Sequence, residues 1–199
     1  MAEIKMTEAE KYVNKKHLLT YSLDDQVIHA MRVSNLAYSI GKELGLDEET
    51  CQYLFDAGIL HDIGKEKLRS YVYEEEQNPL MVEEMKYVRM HATLGYEILK
   101  ERGYPEFILQ SVLHHHENMD GSGYPDNLRG EEIPYGARII RVCDVFSALI
   151  SDRPYRKSFD QNTAIELMIE EIKNFDIKIF LAFQRVIHRE DYQKMELIE

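Results

Sequence analysis

Residues 54–65 read LFDAGILHDIGK, a run with apolar residues at helical spacing that ends in His61-Asp62 and Gly64. Apolar positions three and four residues apart predict a helix with one buried face, and Gly64 marks where that helix runs out. Neighbouring side chains diverge by about 100° in the middle of a helix. Two adjacent polar groups can therefore face one point only at a helix end, which is where this stretch places His61 and Asp62.

The same helical periodicity recurs along the rest of the chain, with capping and stop signals between the segments. No stretch shows the apolar–polar alternation of a half-buried strand. The sequence therefore predicts an all-α fold class, with residues 66–80 as a charged loop or irregular segment. The predicted helices cover residues 24–44, 47–64, 82–102, 105–116, 135–151, 161–174 and 177–189.

A long loop rich in glycine and proline is predicted over residues 117–134. A loop of this length inside a compact domain is usually functional. Gly121 and Gly123 permit tight backbone turns, and Tyr124-Pro125 stiffens the exit. We interpret this loop as an ordered, shaped wall of a site rather than as a source of catalytic groups.

Composition and charge limit the classes of function. The chain has 199 residues, 44% of them hydrophobic, and a formal net charge of −12. This length favours one domain, which we place at residues 23–188, with a helical N-terminal extension over 1–22 and a C-terminal tail over 189–199. The acidic charge argues against DNA binding, but not against a small anionic substrate, because bound divalent cations would reverse the local sign.

The sequence shows neither a disulfide framework nor a targeting signal. There are two cysteines, neither in a paired motif that would indicate a disulfide framework. No stretch approaches the roughly 18 apolar residues of a membrane span, and the N-terminus lacks the features of a signal peptide. We expect a reduced cytoplasmic protein without a membrane interaction.

Histidine and aspartate side chains at predicted helix ends carry the chemistry. Imidazole and carboxylate together suit divalent iron, manganese, zinc or nickel. Each residue also has a plainer interpretation: a lone histidine is more often a satisfied residue than a ligand, and a buried aspartate in an apolar helix needs either a metal or a salt bridge. The candidate residues are His29, His61, Asp62, His91, His115, His116 and Asp144.

From about residue 25 to residue 187 the chain resembles the HD-GYP branch of the HD phosphohydrolase superfamily. The dipeptide His-Asp alone is a weak signal, whereas HHE–DGxGYP followed by DRPYR is a specific one. The matching segments are HAMRV (29–33), HDIGK (61–65), MHATLGYEIL (90–99), VLHHHENMDGSGYP (112–125), GEEIP (130–134), RIIRVCDVFSAL (138–149) and SDRPYRKS (151–158).

The resemblance implies a single HD-type helical domain with a two-metal centre. One ion would be held by the group His29, His61, Asp62 and Asp144. The other ion would share Asp62 and take His91, His115 and His116. Some members bind a third ion through a glutamate one turn before the first histidine, where this chain has the shorter Asp25. For Asp25 we prefer the alternative of a helix N-terminal acid that the helix dipole favours.

The resemblance also implies a phosphodiesterase that opens a cyclic dinucleotide, with cyclic di-GMP as the expected substrate, by attack of a hydroxide held between two divalent ions. Lys65 would neutralise charge on the phosphate or is a solvated surface lysine. Arg153 and Arg156 would bind a second phosphate or a guanine edge, or would instead pair with acidic neighbours and fix a loop. Gly121 and Tyr124 would line the substrate site.

Two other functions remain open. The acidic segment with Glu74–Glu76 departs from the family pattern beside the expected cleft. This departure leaves a second function possible, that of a phosphohydrolase that acts on another nucleotide or phosphate ester. The third interpretation is a non-catalytic domain that binds a nucleotide or a protein. A regulatory protein partner of the GGDEF type is a further implication of the resemblance.

Overall fold

The computed structural model describes residues 23–68, 81–152 and 156–189, with only the backbone for residues 81–88. The all-α prediction is confirmed. A helical turn covers residues 64–68, and 3-10 turns cover Gly130–Glu132 and Ile172–Asn174. The labelled helices are α1 (Leu23–Glu43), α2 (Glu48–Leu60), α3 (Met81–Glu101), α4 (Glu106–His114), α5 (Tyr135–Leu149), α6 (Gln161–Glu170) and α7 (Ile177–Ile187).

The loop prediction for residues 66–80 was wrong at its start, because residues 66–68 are helical. Glu66 and Lys67 are exposed and Leu68 is buried, so the charged residues occupy the outer face of a helical turn. The predicted helix over 161–174 is divided after Glu170, where a 3-10 turn follows. The predicted extension over 1–22 and residues 190–199 of the predicted tail lie outside the described residues.

The core is built around α1, which packs against α2, α5 and α7. α4 packs against α2, α3 and α5 and completes the arrangement around the site. Phe146 of α5 and Phe183 of α7 are fully buried, with ring centroids 4.9 Å apart. Burial of apolar side chains at about 25 cal/mol per Å² is the main stabilising contribution to such a core.

Gly64 allows the chain after α2 to lie directly against α3. A Cβ atom at this position would lie 2.7 Å from the amide nitrogen of Gly95 and would overlap the carbonyl oxygen of His91. Only glycine permits this approach. The contact places the His61-Asp62 turn beside His91.

None of the helices in the described part of the chain has the length and apolar character that a membrane crossing requires.

Candidate metal centre

The structure brings together all seven residues that were predicted as ligands, from five separate segments. His29 lies on α1, and His61 and Asp62 follow the end of α2. His91 lies on α3, His115 and His116 follow α4, and Asp144 lies on α5. Both adjacent pairs therefore lie at helix ends, where neighbouring side chains can serve one site.

The first group consists of His29, His61 and Asp144, whose ligand atoms all lie within 4.8 Å of one another. The Nε2 atom of His29 lies 3.1 Å from Oδ1 of Asp144, and Nε2 of His61 lies 3.8 Å from the same oxygen. His61 is fully buried. The group offers two imidazoles and one carboxylate to a common point.

The second group consists of His91, His115 and His116, which also meet within 4.8 Å. The Nε2 atom of His91 lies 3.2 Å from Nε2 of His115 and 3.1 Å from Nε2 of His116. His91 and His115 are fully buried. Three imidazole nitrogens thus converge on one point, an arrangement that a bound cation would satisfy.

Asp62 lies between the two groups and presents one oxygen to each. Its Oδ1 atom is 3.4 Å from Nε2 of His91, in the second group. Its Oδ2 atom is 3.4 Å from Nε2 of His61, in the first group. Oδ2 also accepts a hydrogen bond from Nζ of Lys65 at 2.6 Å. This position suits a carboxylate that spans two cations.

Backbone contacts fix the ring orientation of two of the histidines. Nδ1 of His61 lies 2.8 Å from the carbonyl of Gly58, and Nδ1 of His115 lies 2.7 Å from the carbonyl of Val112. A carbonyl can only accept, so Nδ1 carries the hydrogen and the Nε2 lone pair of the neutral ring faces the site. Metal-binding histidines are commonly oriented in this way.

Two atoms at the centre of the site are buried without a hydrogen-bond partner, Nε2 of His61 and Oδ1 of Asp62. A buried polar atom left unsatisfied costs about 1–3 kcal/mol. Metal coordination would remove this cost at both atoms. The donor set of imidazole nitrogens and carboxylate oxygens therefore fits divalent metal ions.

The electrostatics keep four of the seven ligands in the forms that bind metals. His61 differs, because burial lowers its pKa but the carboxylates of Asp62 and Asp144 outweigh burial and raise the net pKa. Burial lowers the pKa of His116 to about 3 and that of His115 well below its usual range, so both imidazoles are neutral. Burial raises the pKa of Asp62, but the ammonium of Lys65 and the nearby imidazoles outweigh it, and the net pKa is well below the usual range. Asp144 is likewise ionised, because nearby imidazoles outweigh its burial.

Tyr124 forms one wall of the site, as its loop position predicted. Its ring stacks on His116, with centroids 4.7 Å apart and planes 23° apart. The guanidinium of Arg89 lies over the Tyr124 ring at 5.1 Å. Gly121 has a φ of +80°, in the left-handed region, and Tyr124-Pro125 is a cis peptide bond.

Of the predicted residues Asp25, Arg153 and Arg156, the structure describes the first and the last. Asp25 is exposed in the first turn of α1 and lies outside both ligand groups. Arg153 falls outside the described residues. Arg156 donates hydrogen bonds to the carbonyls of Ala148, Leu149 and Lys157, and its guanidinium lies 4.4 Å from the ring centroid of Phe159. These contacts favour the loop-fixing alternative for Arg156, although through carbonyls and not through the acidic residues considered above.

Sequence reasoning did not single out Arg89 or Arg141, both of which approach the site. Arg141 lies one helical turn before Asp144 on α5 and donates from Nε to Oδ1 of Asn118 at 3.1 Å. Its spacing from Asp144 was a usable signal, because residues three apart share a helix face.

Comparisons with known proteins agree with this geometry. A family model described as HD domain matches residues 12–179. The chain is 35% identical over 167 residues to the cyclic di-GMP phosphodiesterase response regulator RpfG of Xanthomonas campestris, covering 83% of this chain and 44% of the relative. It is 35% identical to a cyclic di-GMP phosphodiesterase of Pseudomonas aeruginosa, with 80% and 39% covered. It is 31% identical to a 3'3'-cGAMP-specific phosphodiesterase of Vibrio cholerae, with 86% and 39% covered. The chain spans less than half the length of each of these relatives.

Solved structures show the same fold at lower identity. A cyclic GMP-AMP-specific phosphodiesterase of Vibrio cholerae superposes with a TM-score of 0.65 at 19% identity, covering 83% of this chain and 45% of that one. The HD domain of the Listeria monocytogenes phosphodiesterase PgpH superposes with a TM-score of 0.61 at 19% identity, covering 88% and 93%. These similarities concern the fold alone.

Proposed function

The chain belongs to the HD domain family, in its HD-GYP branch, and on that basis we propose that it is a metal-dependent phosphodiesterase for a cyclic dinucleotide, with cyclic di-GMP as the expected substrate. Several curated relatives carry the name of cyclic di-GMP or 3'3'-cGAMP phosphodiesterase, which supports this substrate class. The observation that carries the proposal is the position of Asp62, with one oxygen toward each histidine group.

We assign two divalent ions, of iron, manganese, zinc or nickel, to the two ligand groups. The group of His29, His61 and Asp144 would hold one ion, and the group of His91, His115 and His116 would hold the other. Asp62 would serve both. Bound in this way, the ions supply Lewis acidity that lowers the pKa of water and stabilises negative charge on a phosphoryl group.

Lys65 is the cationic side chain best placed to act beside the ligands. Its ammonium has three donors, and the hydrogen bond to Oδ2 of Asp62 uses one of them and fixes its position. The remaining donors can stabilise the negative charge that develops on the phosphoryl oxygens. The ring of Tyr124 stacks on the candidate ligand His116 and so lies beside the proposed substrate site.

The domain boundaries and a protein partner are also part of the proposal. We propose residues 23–188 as the catalytic domain, flanked by segments 1–22 and 189–199. A regulatory protein partner would have to bind outside the ligand groups, since their side chains are engaged at the centre of the helices.

The test is hydrolysis of cyclic di-GMP by protein loaded with manganese or iron(II), followed by chromatography of the products. We expect the linear dinucleotide, at a higher rate than for 3'3'-cGAMP. Cleavage of a generic phosphodiester by the fully metallated protein, with both cyclic dinucleotides left intact, would favour the phosphohydrolase alternative. Binding of a cyclic dinucleotide without hydrolysis would favour the non-catalytic alternative.

Asp62→Asn is the most direct variant, because it keeps the side-chain shape and removes the shared negative charge. We expect lower metal content and a loss of at least 100-fold in kcat, which corresponds to about 2.7 kcal/mol. Asp56→Asn is the matched control, because Asp56 lies on α2 and contacts Gln52, away from both ligand groups. Equal activity of the two variants would contradict the role of Asp62.

A further inference from the structure

Arg141 is a part-buried guanidinium beside the metal-ligand groups. It lies one turn before Asp144 on α5, so the two side chains share a helix face. Its Nε atom donates to Oδ1 of Asn118, which follows His116 by two residues. The Arg141 side chain therefore spans from the helix that carries a ligand of the first group to the loop that follows a ligand of the second.

The loop fixes the acceptor that orients Arg141. Nδ2 of Asn118 donates to Oγ of Ser122 at 2.9 Å, and Oγ of Ser122 donates to Oδ1 of Asp120 at 2.5 Å. With its amide nitrogen engaged, Asn118 turns its oxygen toward the guanidinium. This chain of contacts holds Arg141 through a neutral acceptor, and the ionised Asp144 acts on it through space without forming an ion pair.

The neighbouring arginine on α5 provides a direct comparison. Arg138, one turn earlier, forms an ion pair of 2.7 Å with Asp176. Arg141 forms no ion pair within residues 23–68, 81–152 and 156–189, and its Nη1 and Nη2 atoms donate to no residue there. Of these two arginines, only Arg141 keeps a free pair of terminal nitrogens.

Burial removes water from the Arg141 guanidinium and lowers its pKa, although the negative charge of Asp144 partly offsets this effect. Desolvation of a charged group is costly unless polar or charged partners replace the lost water. The two terminal nitrogens form a planar fork that matches two oxygens of a phosphate. An anionic phosphodiester that enters the site would supply acceptors for both nitrogens.

We propose that Arg141 is a substrate-binding residue that holds non-bridging oxygens of a phosphodiester of the cyclic dinucleotide, with Asn118 as its positioning residue. The proposal rests on the proposed function for the identity of the substrate. Recognition of phosphate rather than of a base means that Arg141 contributes equally to binding of cyclic di-GMP and cyclic di-AMP.

The main test uses Arg141→Gln in the manganese-loaded protein. We expect KM for cyclic di-GMP to rise by about 10-fold to 100-fold, with metal content unchanged and a smaller change in kcat. The Kd of a phosphorothioate analogue of cyclic di-GMP, measured by calorimetry, should rise by a similar factor. Arg102→Gln is the matched control, because Arg102 is exposed after α3 and its substitution removes the same charge.

Two further variants separate position from charge and guard against misfolding. Arg141→Lys keeps the charge but loses the fork, so we expect partial recovery of Kd. Asn118→Asp keeps the shape of the acceptor and neutralises the guanidinium, so we expect a weaker Kd with the fold intact. Thermal unfolding of each variant checks that the loss is not a loss of folded protein.

Three results would overturn the proposal. One is unchanged KM and Kd in Arg141→Gln, as in the control. Another is a loss of metal content, which would assign Arg141 to the metal centre. The third is a loss for cyclic di-GMP but not for cyclic di-AMP, which would indicate contact with a guanine edge. If the wild type cleaves neither dinucleotide, the proposed function fails, and KM for bis(4-nitrophenyl) phosphate tests Arg141 independently.

Discussion

Gly64→Ala should separate the two halves of the candidate metal centre. The added methyl would lie 2.7 Å from the amide nitrogen of Gly95 and 2.8 Å from the carbonyl carbon of His91. These are backbone atoms, so no rotamer change can relieve the contact. Ordinary contact starts near 3.4 Å. The contact with Gly95 alone requires a movement of about 0.7 Å away from α3, the difference between 3.4 and 2.7 Å, and the overlap with the carbonyl oxygen of His91 requires more.

This movement has a stability cost and a functional cost. Overpacking of this kind costs about 1–3 kcal/mol, and each kcal/mol lowers Tm by about 2–4 °C in a chain of this size. The distance of 3.4 Å between Asp62 and His91 would widen by a similar displacement. A misplacement of about 1 Å can reduce a rate by about 100-fold, so we expect activity and metal content to fall together.

Gly103→Ala is the matched control for this variant. Gly103 has a φ of +75° and nothing within 4 Å of an added Cβ, so alanine there is strained by its backbone alone, at about 1–2 kcal/mol. Calorimetry, metal analysis and turnover should show a lower Tm for both variants. Only Gly64→Ala should lose metal and activity. Full metal content and full turnover in Gly64→Ala would show that close packing at Gly64 does not position the ligands.

Three further expectations concern residues around the site. Arg138→Met removes the ion-pair partner of the buried Asp176, whose N-cap hydrogen bonds remain, and should lower the free energy of unfolding by about 1–3 kcal/mol; an unchanged stability in urea denaturation would contradict this. Arg156→Met should lower Tm through loss of charged hydrogen bonds worth about 1.5–3 kcal/mol each, and a raised KM at unchanged Tm would instead favour a substrate contact. Cys51 and Cys143 should react with a thiol reagent only after unfolding, because both are fully buried and burial raises the pKa of each thiol; rapid reaction in the native protein would show that the core opens.

Local sequence rules predicted much of the fold, because the helix signals are local. Asp47 is the first residue of the predicted helix over 47–64, and its side chain caps α2 by accepting a hydrogen bond from the amide of Thr50. Gly103 directly follows the predicted helix over 82–102, and it lies after the end of α3 with a positive φ. The pair His61-Asp62 was predicted at a helix end, and the structure has both this pair and His115-His116 at helix ends.

The remaining features depend on contacts between distant segments. Glu66 and Lys67 are charged, which is typical of a loop. The burial of the next residue, Leu68, favours the helical turn that the structure has here. The partners of two arginines on α5 were also not predictable from local patterns. Arg138 pairs with Asp176, 38 residues away, and Arg141 contacts Asn118, 23 residues away. Only the packed structure shows that Arg138 is paired with a carboxylate and that Arg141 is held by an amide oxygen.

We propose that a two-metal centre in this domain hydrolyses a cyclic dinucleotide. The rate of cyclic di-GMP hydrolysis should be measured as metal-free protein is titrated with manganese or iron(II), with bound metal counted in each sample. We expect no turnover without metal and a maximal rate at two ions per chain. Turnover that persists in the metal-free protein, or that is already maximal at one ion per chain, would contradict it.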